Sequence, residues 1–276
     1  MPLLDETKIK IFEKACFSRA FEEKAYELAQ NSTIKMPIYL SAGQEFISAT
    51  LASYLAYNSI DDYQIFIQHR GHSTYLSFGG SPEALVLELL GHKEGCANGM
   101  GGSASIQSRQ AKIYGHDGLM GSHGPIAVGA CFANKKFTLC FAGDAAAEED
   151  YFLSALGWAS TKNLPIWFII EDNNLSILTE KRVRRNWEMA DVAHAFKMPS
   201  IDVEDDPSSI WDSLTPEHLQ GPLLLNIRTN RKYWHAGAGV DDPDQFDRLN
   251  CWVNLYGSDV IDSARKDIDG LWAKHL

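Results

Sequence analysis

Between residues 137 and 172 the chain reads "FTLCFAG", then a helical stretch, then "PIWFII", and both strand-like runs are apolar almost throughout. A strand with one wet face alternates apolar and polar residues, whereas a strand buried on both faces does not. Two such runs joined by a helix over 150–162 predict parallel strands inside a sheet covered on both sides. "GPIAVGACFANK" (124–135) reads as the helix before the first of these strands, and "LLLNIR" (223–228) as a later strand. Upstream, residues 5–29 form an amphipathic pattern. Ile9, Phe12, Cys16 and Ala20 repeat at three and four, and Phe17, Phe21, Ala25 and Leu28 widen the stripe. A second helix is expected over 43–57. A third opens with Ser81 as N-cap and Pro82 at the first position and closes at Gly91, and a last one spans 258–274. The expected fold class is α/β, a doubly wound, mostly parallel sheet with helices on both faces. It forms one domain over 1–276, with an amino-terminal helical segment at 5–60.

Ligands on doubly wound sheets bind outside the carboxyl ends of the strands, and the two apolar strands are followed by Asp144 and Asn173. Carboxylate and amide oxygens suit a hard cation such as Mg²⁺, which completes its shell with phosphate oxygens and water. Ala145, Ala146 and Ala147 follow Asp144, and such small residues let a phosphate approach backbone N–H groups at a helix start. The pair points to a Mg²⁺–diphosphate site. The alternative is that Asp144 caps the next helix and Asn173 makes a turn.

Net charge is −11, which argues against nucleic acid as a partner. No apolar run approaches the ~20 residues a membrane helix needs. The start "MPLLDETKIK" lacks a basic segment followed by an apolar core. Five cysteines (Cys16, Cys96, Cys131, Cys140, Cys251) are scattered with no CxxC. They indicate a reducing compartment, and a cytoplasmic location is expected.

"SRAFEEKAYEL", "YLSAGQE", "HRGHSTYLSFGGSPEALVLELLGHKEGCANGMGGS", "DGLMGSHGPIAVGA" and the "GD" to "DNN" spacing occur in this order, from about residue 11 to residue 243. Together they resemble successive blocks of the α subunit of the E1 component of thiamine diphosphate-dependent 2-oxo acid dehydrogenases, such as the pyruvate and acetoin enzymes. The resemblance implies a thiamine diphosphate-binding fold and a Mg²⁺ held by Asp144, Asn173 and the backbone carbonyl of Leu175. It implies that backbone groups of Ala145 and Ala146 meet the diphosphate. Arg70 of "HRGH" would reach the same phosphates through its fork, and His69 stands where the family usually has tyrosine. The other reading of Arg70 is a surface arginine. Gly118 and Met120 of "DGLMG" would cradle the aminopyrimidine, Met120 as the wedge that bends the cofactor; plain core filling is the alternative. Ile177 would line the same pocket or simply pack in the core. "RTNRKYWHAGAGVDDP" (228–243) puts His235 at the place of a catalytic histidine, unless it is ordered only by stacking on Trp234. His72 aligns with a position that is often histidine. Substrate selectivity would sit in side chains such as Tyr39, His72 and Ser105.

Four departures from the family stand out. Ala145 replaces the third glycine of GDG, so this position should not require positive φ. Ser105 stands where a histidine often follows "GGSM", and Ala236 where animal relatives carry a regulatory serine. The chain is also shorter than most relatives. The family's active site lies between two chains, so the resemblance implies a β-type partner supplying the pyrimidine side, in an α₂β₂ assembly acting on a small 2-oxo acid. With serine at 105, reductive acyl transfer to a lipoyl carrier is expected to be disfavoured, since serine carries no proton near neutral pH as imidazole does. The other functions left open are a split transketolase-like or carboligase subunit and a non-catalytic assembly subunit.

Overall fold

The computed structural model describes residues 3–239, 241 and 244–276. In chain order the strands are β1 (Tyr63–Phe66), β2 (Ile113–Tyr114), β3 (Phe137–Gly143), β4 (Ile166–Asp172), β5 (Leu175–Ser176), β6 (Thr179–Glu180), β7 (Ser200–Glu204) and β8 (Leu223–Arg228). Six of them form one sheet in the order β2-β1-β3-β4-β8-β7, with every neighbouring pair parallel. The short β5 and β6 pair antiparallel as a separate hairpin.

Side-chain parity explains why the central strands read as unbroken apolar runs. Leu139, Phe141, Trp167, Ile169, Leu223 and Leu225 point into one core. Cys140, Ala142, Ile166, Phe168, Ile170 and Leu224 point into a second core on the opposite face. The first face is covered by α1 (Asp5–Gln30), α2 (Glu45–Tyr57), α3 (His72–Ser77) and α4 (Pro82–Leu89). The second carries α5 (His123–Asn134) and α6 (Asp150–Thr161). Beyond the hairpin, α7 (Lys181–Arg184) leads to α8 (Met189–Ala195) on the second face. The chain then returns to the first face with α9 (Pro207–Ser213), α10 (Arg248–Tyr256) and α11 (Asp259–Ala273). The doubly wound α/β class is therefore observed.

The anticipated helices lie within two residues of their expected ends. Ser81 Oγ accepts the Ala84 N–H at 3.2 Å with Pro82 following it, and Gly91 closes the helix at φ +74°. The stripe on α1 needs correction. Ile9 is 44% exposed, and Ile11 and Ala15 are buried instead. Ile9 shares a side with Cys16 but lies two turns nearer the helix end, where it remains exposed. Phe17 is only half-buried. The short elements β1, β2, β7, α3, α8 and α9 were not anticipated, being too brief to show a period. Among the described residues, no helix is long and apolar enough to cross a membrane.

Candidate active site

A cleft of about 420 Å³ opens at the carboxyl ends of the central strands. Each neighbouring strand sends its following loop into it. Gln68, His69 and Arg70 come after β1, Asp144 to Ala146 after β3, Asn173 to Ile177 after β4, and His235 from the segment after β8. Tyr39, Met120, Glu148, Glu149 and Arg184 complete the lining. Eleven of the anticipated residues thus meet in one place: Tyr39, His69, Arg70, Met120, Asp144, Ala145, Ala146, Asn173, Leu175, Ile177 and His235. Val240, Asp242 and Pro243 of the loop 228–243 lie outside the described residues.

At the strand-end side, Asp144 is almost fully buried. It does not cap the turn that follows; its Oδ2 accepts from Arg184 Nη2. Burial, aided by the nearby charge of Asp172, pushes its carboxyl above the ordinary value, and Arg184 opposes that shift. The next residue, Ala145, sits at φ −75°, so the position indeed tolerates a side chain. Asn173 is oriented from both ends. Its Nδ2 donates to Gln44 Oε1 at 3.0 Å and its Oδ1 accepts the Leu175 N–H at 3.1 Å, leaving that oxygen a second lone pair. Among the described residues no group of three or more His, Cys, Asp or Glu is arranged to hold a metal. A cation at Asp144 would rely on Asn173, a backbone oxygen and oxygens of a bound ligand, a donor set that fits Mg²⁺. Gly121 closes this end from above: at φ +81°, a Cβ there would lie 2.5 Å from the Ala146 carbonyl oxygen. The cleft lip is strained at Ile177, a β-branched residue at φ +54° that is 51% exposed. Arg231 Nη2 donates to its carbonyl at 2.9 Å, so Ile177 is held at the cleft and is not core packing.

The opposite wall is aromatic and basic. Arg70 is buried rather than on the surface. Its Nη1 donates to the Leu40 carbonyl at 2.6 Å and its Nη2 to His235 Nδ1 at 2.9 Å. That second bond makes Nδ1 the acceptor and leaves the proton on Nε2. Burial, with the charges of Arg70 and Arg231, lowers His235 to about 4, so it is a neutral imidazole near pH 7. His235 is ordered by Tyr39 and His69, ring centroids 5.3 and 5.6 Å away, while Trp234 packs on Tyr26. Burial and Arg70 also hold His69 well below its ordinary value, and its buried Nε2 has no partner among the described residues. Met120 is 39% exposed and lines the cleft, which sets core filling aside.

Three anticipated residues are placed elsewhere. His72 is fully buried. Its Nδ1 pairs with Glu22 at 3.1 Å and its Nε2 with Ser103 Oγ at 2.9 Å. Ser103 Oγ in turn accepts the Tyr39 N–H at 2.8 Å. With both ring nitrogens engaged, His72 braces the backbone of Tyr39 and does not touch the cleft. Ser105 sits in the glycine-rich loop, its N–H bonded to the Gly101 carbonyl. It is not part of the cleft lining, so its identity gives no ground for judging proton delivery there. Gly118, at φ +101°, donates its N–H to His116 Nδ1 at 3.0 Å and also lies off the lining. Sequence reasoning missed Gln68, Glu148, Glu149, Ser176 and Arg184. The basic run "RVRR" that supplies Arg184 was the only signal for it, and such runs usually mark a solvated face.

The family model "Dehydrogenase E1 component" matches residues 13–252. The chain is 29% identical over 247 residues to the α subunit of acetoin:2,6-dichlorophenolindophenol oxidoreductase from Cupriavidus necator, covering 85% of this chain and 73% of that one. It is 25% identical over 277 residues to the pyruvate dehydrogenase E1 component α subunit of Zymomonas mobilis, covering 95% and 76%. Among solved structures, transketolase from Campylobacter jejuni superposes with a TM-score of 0.63 at 17% identity, covering 99% of this chain and 48% of the transketolase. That likeness is one of fold.

Proposed function

The chain belongs to the dehydrogenase E1 component family as an α-type member, and from that premise we propose that it holds the diphosphate and metal end of thiamine diphosphate and acts on a 2-oxo acid with a β-type partner. The observation that carries this reading is the convergence of Asp144, Asn173, Arg70 and His235 on one cleft at the strand ends. Asp144, Asn173 and the Leu175 carbonyl would hold Mg²⁺, while the backbone of Ala145 and Ala146 and the Arg70 fork would take the phosphates. Met120 and Ile177 would flank the ring system, with His69 in the wall beside Arg70. When bound, thiamine diphosphate supplies carbanion chemistry at the substrate's carbonyl carbon.

His235 is assigned the catalytic role. Arg70 fixes its tautomer, so its Nε2–H is available to donate to an oxygen that gains charge as the carbonyl is attacked. Tyr39, edge-on to His235 and His69, shapes the substrate side. His72 is assigned a positioning role through Ser103. The single-domain reading of 1–276 is supported by α1 and α2 sharing the core beneath the sheet.

An α₂β₂ assembly in the cytoplasm completes the proposal. Its support is a run of exposed apolar side chains around α5 and α6: Leu119, Ile126, Phe132 and Trp158, each at least 41% exposed. Titration calorimetry with thiamine diphosphate in Mg²⁺ and in EDTA tests the cofactor reading; equal affinity in both would overturn it. Turnover of 2-oxo acids only after the partner is added is the expected result for the assembly. Robust activity of the single chain would overturn the partner claim.

A further inference from the structure

The carboxylate proposed to hold the metal already has a cationic partner built into the fold. Arg184 Nη2 donates to Asp144 Oδ2, and its Nη1 donates to Glu148 Oε1. Arg184 ends α7, which hangs directly from the β5–β6 hairpin. One short segment, residues 173–184, therefore carries two of the proposed metal ligands and a guanidinium bonded to the third. A divalent cation at Asp144 would meet a carboxylate whose Oδ2 Arg184 already holds.

Three observations make that guanidinium exchangeable. Arg184 lines the cleft, so it can turn without unpacking a core. Its buried Nε has no hydrogen-bond partner among the described residues, so its fork is incompletely satisfied where it stands. Glu148 keeps a second cation if Arg184 leaves, because Arg185 Nη1 lies 3.5 Å from the same Glu148 oxygen and its guanidinium stacks on Trp187. A guanidinium released from Asp144 into this cleft would find its best new partner in a phosphate oxygen, which matches its planar fork.

We propose that Arg184 is an exchangeable counter-cation of the site. It neutralises Asp144 until a divalent metal takes that carboxylate, then transfers its hydrogen bond to the diphosphate that arrives with the metal. The proposal rests on the Mg²⁺–diphosphate reading of the cleft. It makes metal and cofactor mutually dependent: the metal alone must take Asp144 from Arg184 and leave it only Glu148, whereas the two together supply a new anion. By linkage each then tightens the other equally.

The test uses the full-length chain and Mn²⁺, followed by electron paramagnetic resonance, with and without thiamine diphosphate. In the wild type the cofactor should tighten Mn²⁺ by at least about tenfold. Arg184→Gln should tighten Mn²⁺ alone by about tenfold and reduce the coupling to about threefold or less. Arg184→Lys keeps the charge and should stay near the wild type for Mn²⁺ alone. Arg182→Gln, a change in a neighbouring arginine that is exposed and bonded to Glu180, should move neither value more than about twofold. Thermal melts confirm that each variant is folded. Mn²⁺ binding that requires Asp144 but is unchanged or weakened in Arg184→Gln overturns the exchange alone. Mn²⁺ binding that survives Asp144→Asn overturns the metal reading of the cleft and the exchange with it.

Discussion

Arg19 and Arg184 each sit between two carboxylates, and they do different things. Arg19 in α1 uses its whole fork. Nε and Nη2 reach Glu45, while Nη1 and Nη2 reach Asp247 at 2.8 and 2.9 Å. All three residues are buried, Glu45 also accepts the Gly43 N–H, and Lys232 adds a fourth charge at 3.0 Å from Asp247. That knot ties α1 to α2 and to Asp247, the N-cap of α10. Arg184 bridges Asp144 and Glu148 at the cleft, with its Nε unpartnered among the described residues. A charge cluster satisfied on every side belongs to the scaffold. One left incomplete at a strand end is available to a ligand.

The largest effect should come from breaking the first knot. Arg19→Leu leaves Glu45 and Asp247 buried without their shared cation and should cost about 3–5 kcal/mol of stability, read as a fall in the urea midpoint. Thiamine diphosphate affinity should fall far less. A mild stability loss would erase the distinction between the two clusters.

Asp144→Ala should show the opposite pattern. The expected loss is about 10³-fold in thiamine diphosphate affinity by calorimetry, with a melting temperature close to the wild type. A variant that binds the cofactor normally would remove Asp144 from the site altogether.

The difference between these clusters also separates what the sequence revealed from what it hid. Asp144 and Asn173 were legible because strand ends can be read from apolar runs, and strand ends point at ligands. Arg184 was not, because its place depends on the β5–β6 turn and on α7, a helix of four residues with no periodic signal. Arg19 and Glu22 are charged residues in a helix, so their burial depended on partners at 45, 247 and 72 that no local pattern announces. His72 shows a further limit. A motif gives the position of a histidine along the chain, but Glu22 and Ser103 decide which way its ring faces. Ser105 and Gly118 follow the same rule: their loops bond them locally, to the Gly101 carbonyl and to His116, and neither lines the cleft.

On the catalytic wall, His235→Ala should lower turnover of the assembled enzyme by about 10²-fold, with thiamine diphosphate affinity changed less than about threefold. The split matters because Arg70, left without His235, keeps its bond to the Leu40 carbonyl and so stays in place for phosphate. A large affinity loss with turnover per bound cofactor unchanged would reassign His235 from chemistry to binding.

The smallest expected effect concerns acid, and it isolates Asp247 within the scaffold knot. Arg19 and Lys232 outweigh burial and hold its carboxyl down, from an ordinary value of 3.8 to about 2. Between those two values the unfolded chain binds more protons than the native one, so stability rises with pH across that window. The contribution is complete above about pH 5 and is lost as pH falls toward 2. A shift of this size is worth about 2 kcal/mol in full, of which about 1 kcal/mol should be gone by pH 3. Glu45 moves the other way, because burial raises its carboxyl above the ordinary value, so the wild-type curve alone would mix two opposing slopes. Asp247→Asn removes the first and also eases the second, because the Asp247 charge is one of the causes that raise Glu45. Urea unfolding of both proteins at pH 5.5 and pH 3 should therefore show the wild type's advantage shrinking by about 1 kcal/mol at the lower pH. An advantage that stays constant across the two pH values would mean that Arg19 holds Glu45 as its real partner and Asp247 only as a cap for α10.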